Sequence, residues 1–89
     1  MRTLYLPSFI KDLKSLRGLP VYDRVKSVAF DEVPQCRHLN EISNFPKLRK
    51  SANAYRIRVG DYRIGVLQKG ETLVFARVLH RKDLYRYFP

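Results

Sequence analysis

Arg56 and Arg58 alternate with Tyr55, Ile57 and Val59, so a strand through this stretch would carry two guanidinium groups on one face and apolar side chains on the other. A guanidinium keeps its proton at any physiological pH and presents a planar fork of donors, which suits it to clamping phosphate and unsuits it to acting as a base. Arg63 and Arg81 offer the same chemistry further along the chain. Groups able to exchange protons collect near the C-terminus, where His80, Tyr85 and Tyr87 stand among Arg81, Lys82 and Arg86. Histidine needs no large environmental shift to titrate near neutral pH. From the pattern alone, basic residues alternating with apolar ones are more often a solvated sheet face than a binding surface. Lys47, Arg49 and Lys50 form a further cationic cluster, either a solvated face or a set of contacts to RNA phosphates.

Other chemistries lack their residues. His38 and His80 lie far apart and Cys36 is the single cysteine, so no metal-ligand spacing, no cysteine cluster and no internal disulfide is available. His38 reads as incidental and Cys36 as a buried small apolar residue. The four glycines are isolated, and none forms a phosphate-cradling loop. The 89 residues carry a formal charge of +10, so polyanions are the natural partners: nucleic acid, a ribosome surface or an acidic protein. No apolar run approaches the roughly 20 residues of a membrane span, and Pro7 and Lys11 interrupt the apolar N-terminus before a signal-peptide core forms. A cytoplasmic protein with one domain over residues 1–89 is expected.

The elements that would position these residues follow from periodicity. Residues 3–6 read as a short strand. Pro7 and Ser8 then open a helix with Phe9, Ile10, Leu13 and Leu16 on one face, stopped at Gly18. Pro20 starts a second helix carrying Val21, Tyr22, Val25, Val28, Ala29 and Val33, which Pro34 ends or kinks. Residues 35–53 read as an irregular connection with a helical turn at most. The period-two strand from Tyr55 turns at Gly60-Asp61 and returns from Tyr62 to Leu67; Lys69-Gly70-Glu71 turns again into a strand over 72–79. The predicted architecture is α+β: a short N-terminal strand, a two-helix hairpin, then a three-stranded antiparallel meander, in one sheet with helices on one face. Tyr55 and Tyr62 fall in the apolar phase and should pack in the core or across strands.

The string Tyr55-Arg56-Ile57-Arg58-Val59-Gly60-Asp61-Tyr62-Arg63-Ile64-Gly65-Val66 resembles the central hairpin of the RelE/ParE superfamily of toxins. His80-Arg81-Lys82-Asp83-Leu84-Tyr85-Arg86 resembles the tail of its RelE-like members, and the helix from Phe9 to Leu16 is similar to the superfamily's usual opening. The resemblance spans nearly the whole chain. It implies a toxin of a type II toxin-antitoxin system, held in check by a cognate antitoxin, which against this charge should be acidic. It implies cleavage of messenger RNA on the ribosome without metal or cofactor. It also implies an active surface on the open sheet face and C-terminal segment, at the positions of Arg56, Arg58, Arg63, Arg81 and Tyr85.

Attack by RNA's own 2′-hydroxyl needs a proton acceptor, a proton donor for the leaving oxygen and cations around the phosphate. RelE itself is best known with lysines where Arg56 and Arg58 stand; a lysine can exchange protons when its environment shifts it, and an arginine cannot. That departure moves the acid–base work to His80 and Tyr85, with Tyr85 alternatively stacking on a base. Lys47, Arg49, Lys50 and Lys82 are expected to touch RNA or ribosome. A second reading is a ParE-type toxin that inhibits DNA gyrase by protein contact and uses its basic face only for docking. A general RNA-binding domain is a third, weakened by the lack of an exposed aromatic strand pattern. Oligomeric state stays open.

Overall fold

The computed structural model describes residues 1–38, 41 and 53–88. A short strand β1 (Arg2–Tyr5) leads into helix α1 (Pro7–Ser15). Pro7 occupies its first turn, where a missing amide proton costs nothing. Gly18 takes a φ of +88° in the link to α2 (Val21–Ser27). The helical path continues through a π-helical turn (Val28–Glu32) into α3 (Val33–Gln35), so Pro34 neither ends it nor stands outside it. The Val33 amide reaches back five residues to the Val28 carbonyl. This wider turn directly precedes the proline, whose ring and missing N–H would otherwise disturb a regular turn at that place.

Three strands follow: β2 (Ala54–Val59), β3 (Tyr62–Lys69) and β4 (Thr72–His80), then a four-residue helix α4 (Leu84–Tyr87). The meander is antiparallel, and β1 joins it parallel to β4, giving the order β1-β4-β3-β2. Gly60, with φ +59°, makes the turn between β2 and β3, a conformation for which glycine carries little penalty.

One sheet face packs on the helices. Ile57, Val59, Ile64, Val66, Leu73, Phe75 and Val78 meet Phe9, Leu13, Leu16, Val25, Ala29 and Val33 there, with Tyr55 and Tyr62 partly buried at the margin, as their phase indicates. A β-bulge makes this possible on β4. Gly65 pairs with Arg77 and Val66 with Phe75, so Ala76 is an extra residue. The insertion resets the alternation and lets both Phe75 and Val78 enter the helix-side core. On the other face Ala54, Ala76, Leu84 and Phe88 form a second, smaller core with Leu6, Leu67 and Leu79. This face, expected to be open, is therefore half covered by the C-terminal turn.

Beyond β1, side chains of α1 take over the free edge of β4. Ser8 donates its hydroxyl to the Ala76 carbonyl at 2.6 Å. One turn later the Asp12 carboxylate accepts from the Val78 amide at 3.1 Å and from Arg77 at 2.6 and 3.1 Å. Backbone groups that a longer first strand would satisfy are thus met by a helix, and the edge is closed to further pairing. Cys36 is half-exposed rather than buried and donates its thiol to the Glu32 carbonyl.

Candidate functional site: an arginine face under a tyrosine

Strand alternation brings Arg56, Arg58 and Arg63 onto the sheet face away from the main helices. Arg58 and Arg63 are direct cross-strand partners, and Arg56 pairs with Gly65. Arg81 joins them from the end of β4, because its amide donates to the Asp61 carbonyl at 2.8 Å and ties the start of the C-terminal segment to the β2–β3 turn. The Arg63 guanidinium donates to the Gly60 and Tyr62 carbonyls, both at 2.9 Å, which fixes it against the same turn. Partial burial, then Arg58, Arg56 and Arg81 in that order, push the Arg63 guanidinium below its ordinary pKa, while Asp61 pulls it up. The four cations therefore share one electrostatic neighbourhood. Among the described residues the one side-chain ion pair is Arg77 with Asp12, outside this group. A face crowded with like charge, whose four guanidinium groups form no ion pair among the described residues, is organised to receive an anion.

Tyr85 closes one side of this face. It projects from α4 with its side chain 55% exposed, and the Arg56 guanidinium lies 5.5 Å from the centre of its ring. The cation–π contact holds ring and cation together while leaving the phenol accessible. Arg77 and Tyr87 make a second such contact at 5.3 Å, but there the guanidinium is already engaged by Asp12.

His80 lies apart from the arginines. Its cross-strand partner is Tyr62, and the two rings meet edge-on at 5.4 Å. Tyr62 packs against the helix-side core, so His80 falls in the phase opposite the arginines. Its Nδ1 accepts the Lys82 backbone N–H at 3.2 Å. This phase separates His80 from the face that carries Arg56, Arg58 and Arg63. The reason is the bulge at Ala76, which sends positions 78 and 80 to the side that 77 and 79 would otherwise occupy. Lys82 is exposed just beyond the cluster. Lys47, Arg49 and Lys50 lie outside the described residues, as does most of the irregular connection expected over 35–53.

Sequence reasoning missed the residues that hold Tyr85 in place. Leu84 and Phe88 are both buried, one helical turn apart, with exposed Tyr85 between them. That i, i+4 apolar pair was the available signal for α4. Gly65, inside a strand, was the signal for a close approach at that point.

Comparison with known proteins agrees with this architecture. Residues 4–85 match the family model described as the ParE toxin of the type II toxin-antitoxin system parDE. Toxin RelE3 of Methanocaldococcus jannaschii is 42% identical over 90 residues, covering 100% of each chain. Among solved structures, the RelB-RelE antitoxin-toxin complex from Methanococcus jannaschii matches with a TM-score of 0.77 at 41% identity, over 97% of this chain and 99% of that one. The DinJ-YafQ complex of E. coli matches with a TM-score of 0.73 at 18% identity, over 96% and 99% of the two chains, a likeness of fold.

Proposed function

Because the chain belongs to the RelE/ParE superfamily of type II toxin-antitoxin toxins, on its RelE-like side, we propose that it is an endoribonuclease that cuts messenger RNA on the ribosome by metal-free attack of the RNA's own 2′-hydroxyl. The observation that carries this reading is the grouping of Arg56, Arg58, Arg63 and Arg81 on one sheet face beside an accessible tyrosine.

In this reading the guanidinium groups bind the scissile phosphate and oppose the negative charge that grows on it. Fixed cations of this kind stabilise the transition state without reorganising during reaction. The 2′-hydroxyl gives up its proton to solvent water as its oxygen bonds to phosphorus and the bond to the 5′-oxygen breaks, leaving a 2′,3′-cyclic phosphate and a 5′-hydroxyl. Tyr85 donates the proton that the leaving 5′-oxygen requires; a phenol, protonated at neutral pH in its ordinary state, is suited to that task. The arginines hold charge and do not transfer protons. Lys82, exposed beside the cluster, extends the cationic surface toward neighbouring phosphates; Lys47, Arg49 and Lys50 are kept as RNA or ribosome contacts on the sequence alone.

The RelB-RelE complex from Methanococcus jannaschii supports a cognate antitoxin as the partner of this chain. An acidic one would offset the charge of +10. No helix among the described residues is long and apolar enough to cross a membrane. A single cytoplasmic domain that works without a cofactor is proposed on the resemblance to RelE-like toxins alone.

The matching family model is the ParE one, and the ParE side of the resemblance carries a second reading, inhibition of DNA gyrase by protein contact. Primer extension on a defined messenger in a purified translation system, with and without ribosomes, separates the two. Ribosome-dependent cuts that disappear with Arg81→Ala support the nuclease. An intact message together with blocked gyrase supercoiling supports the alternative.

A further inference from the structure

We infer that Phe88, seated on Gly65, is a positioning residue for Tyr85; this rests on the proposal that Tyr85 acts on RNA at the arginine face. The seat is built from small residues on three adjacent strands: Ala54 on β2, Gly65 on β3 and Ala76 at the bulge of β4, with Leu84 and Phe88 completing the cluster. A Cβ placed on Gly65 would lie 2.6 Å from both Cγ and Cδ2 of Phe88 and 2.9 Å from Cδ1. Real Cβ atoms do not approach a ring so closely, and the obstacle is the body of the ring rather than a flexible tip. Gly65 is not among the glycines with positive φ, so its backbone does not require glycine. Space for the Phe88 ring does.

The consequence reaches the site through two links. Gly65 is the cross-strand partner of Arg56, so the socket adjoins the cation under the Tyr85 ring. Tyr85 belongs to a helix of four residues with no side-chain cap, far too short to hold its shape alone. Burial of Leu84 and Phe88, at 0% and 4% exposure, is what fixes that helix on the sheet. Phe88 also donates its amide to the Leu84 carbonyl at 2.8 Å, closing the turn around Tyr85. With Phe88 unseated, the arginines keep their strand positions while the phenol loses its own. Phosphate binding should persist and the proton-transfer step should slow.

The test compares wild type, Phe88→Ala, Phe88→Leu, Gly65→Ala and the Gly65→Ala/Phe88→Ala pair, each verified as folded by thermal melting. Single-turnover RNA cleavage is measured on programmed ribosomes, and the Tyr85–Arg56 contact is followed by nuclear Overhauser effects. Phe88→Ala is expected to lower the maximal rate at least about tenfold, the scale of a displaced proton donor, with half-saturation changed less than about threefold. The Tyr85–Arg56 contact should vanish with it. Gly65→Ala should do the same, the pair should be no worse than Gly65→Ala alone, and Phe88→Leu should restore most of the rate. A folded Phe88→Ala protein that cuts at the wild-type rate, or keeps the contact, overturns the positioning role alone. Failure of the wild-type protein to cut RNA overturns the function on which that role rests.

Discussion

Arg58 on β2 and Arg63 on β3 face each other as cross-strand partners, two like charges at a place where sheets ordinarily favour opposite or apolar pairs. The arrangement works against folding and in favour of binding an anion. Arg58→Ala is therefore expected to stabilise the free protein slightly, by about 0.5 kcal/mol at low salt and less at high salt, since exposed charges are screened. It should also weaken RNA binding and reduce the salt dependence of that binding by about one unit of slope. Thermal melts at two ionic strengths and a salt titration of RNA affinity check both halves.

Tyr85 and His80 are expected to behave oppositely. Tyr85→Phe keeps the ring over Arg56 but removes the phenolic proton, and cleavage should fall by at least about tenfold. His80→Gln, on the other side of the sheet, should leave cleavage within about threefold of wild type, as expected for a group outside the proton transfer. Single-turnover rates on the same message decide this. A reversed ranking would return the proton transfer to His80.

Asp12 has a structural task, since its carboxylate engages both the Arg77 guanidinium and the Val78 amide on the edge of β4. Asp12→Ala leaves a partly buried guanidinium and a backbone amide without that acceptor and should cost about 2 to 4 kcal/mol. Chemical denaturation measures it. The arginine face should keep its affinity for RNA in whatever fraction remains folded.

Cys36 gives a pH-dependent check on the packing at the end of α3. Burial first, then the Glu41 carboxylate, raise the thiol above its ordinary value, with the N-terminal ammonium acting in the opposite sense. A raised folded-state value means that the stabilisation is complete below the ordinary thiol range and is lost as pH rises through the folded value. Alkylation by iodoacetamide should therefore rise with pH at a higher midpoint in the native protein than in the urea-unfolded chain. Coincident midpoints would contradict this environment.

The parts of this fold that repeat locally were legible in the sequence. Tyr55, Ile57 and Val59 alternating with Arg56 and Arg58, followed by Gly60-Asp61, specify a hairpin and its two faces with no outside information. The pairing of β1 with β4 was not legible, because it joins residues about 70 positions apart and leaves no local trace. The extra residue at Ala76 was equally hidden, and it alone decides that His80 leaves the arginine face. The helix α4 is too short for periodicity to show. Only the Leu84 and Phe88 pair hinted at it, and its meaning depends on the bare surface of Gly65 on a distant strand.

The central claim is that RNA is cut by its own 2′-hydroxyl on the arginine face, and a single atom tests it. A messenger carrying one 2′-deoxynucleotide at the mapped cut position should bind in the same ribosomal complex yet remain intact at that site, while the all-ribose message is cut to a 2′,3′-cyclic phosphate. Equal cutting of the two messages, or an all-ribose message left whole, would contradict the account.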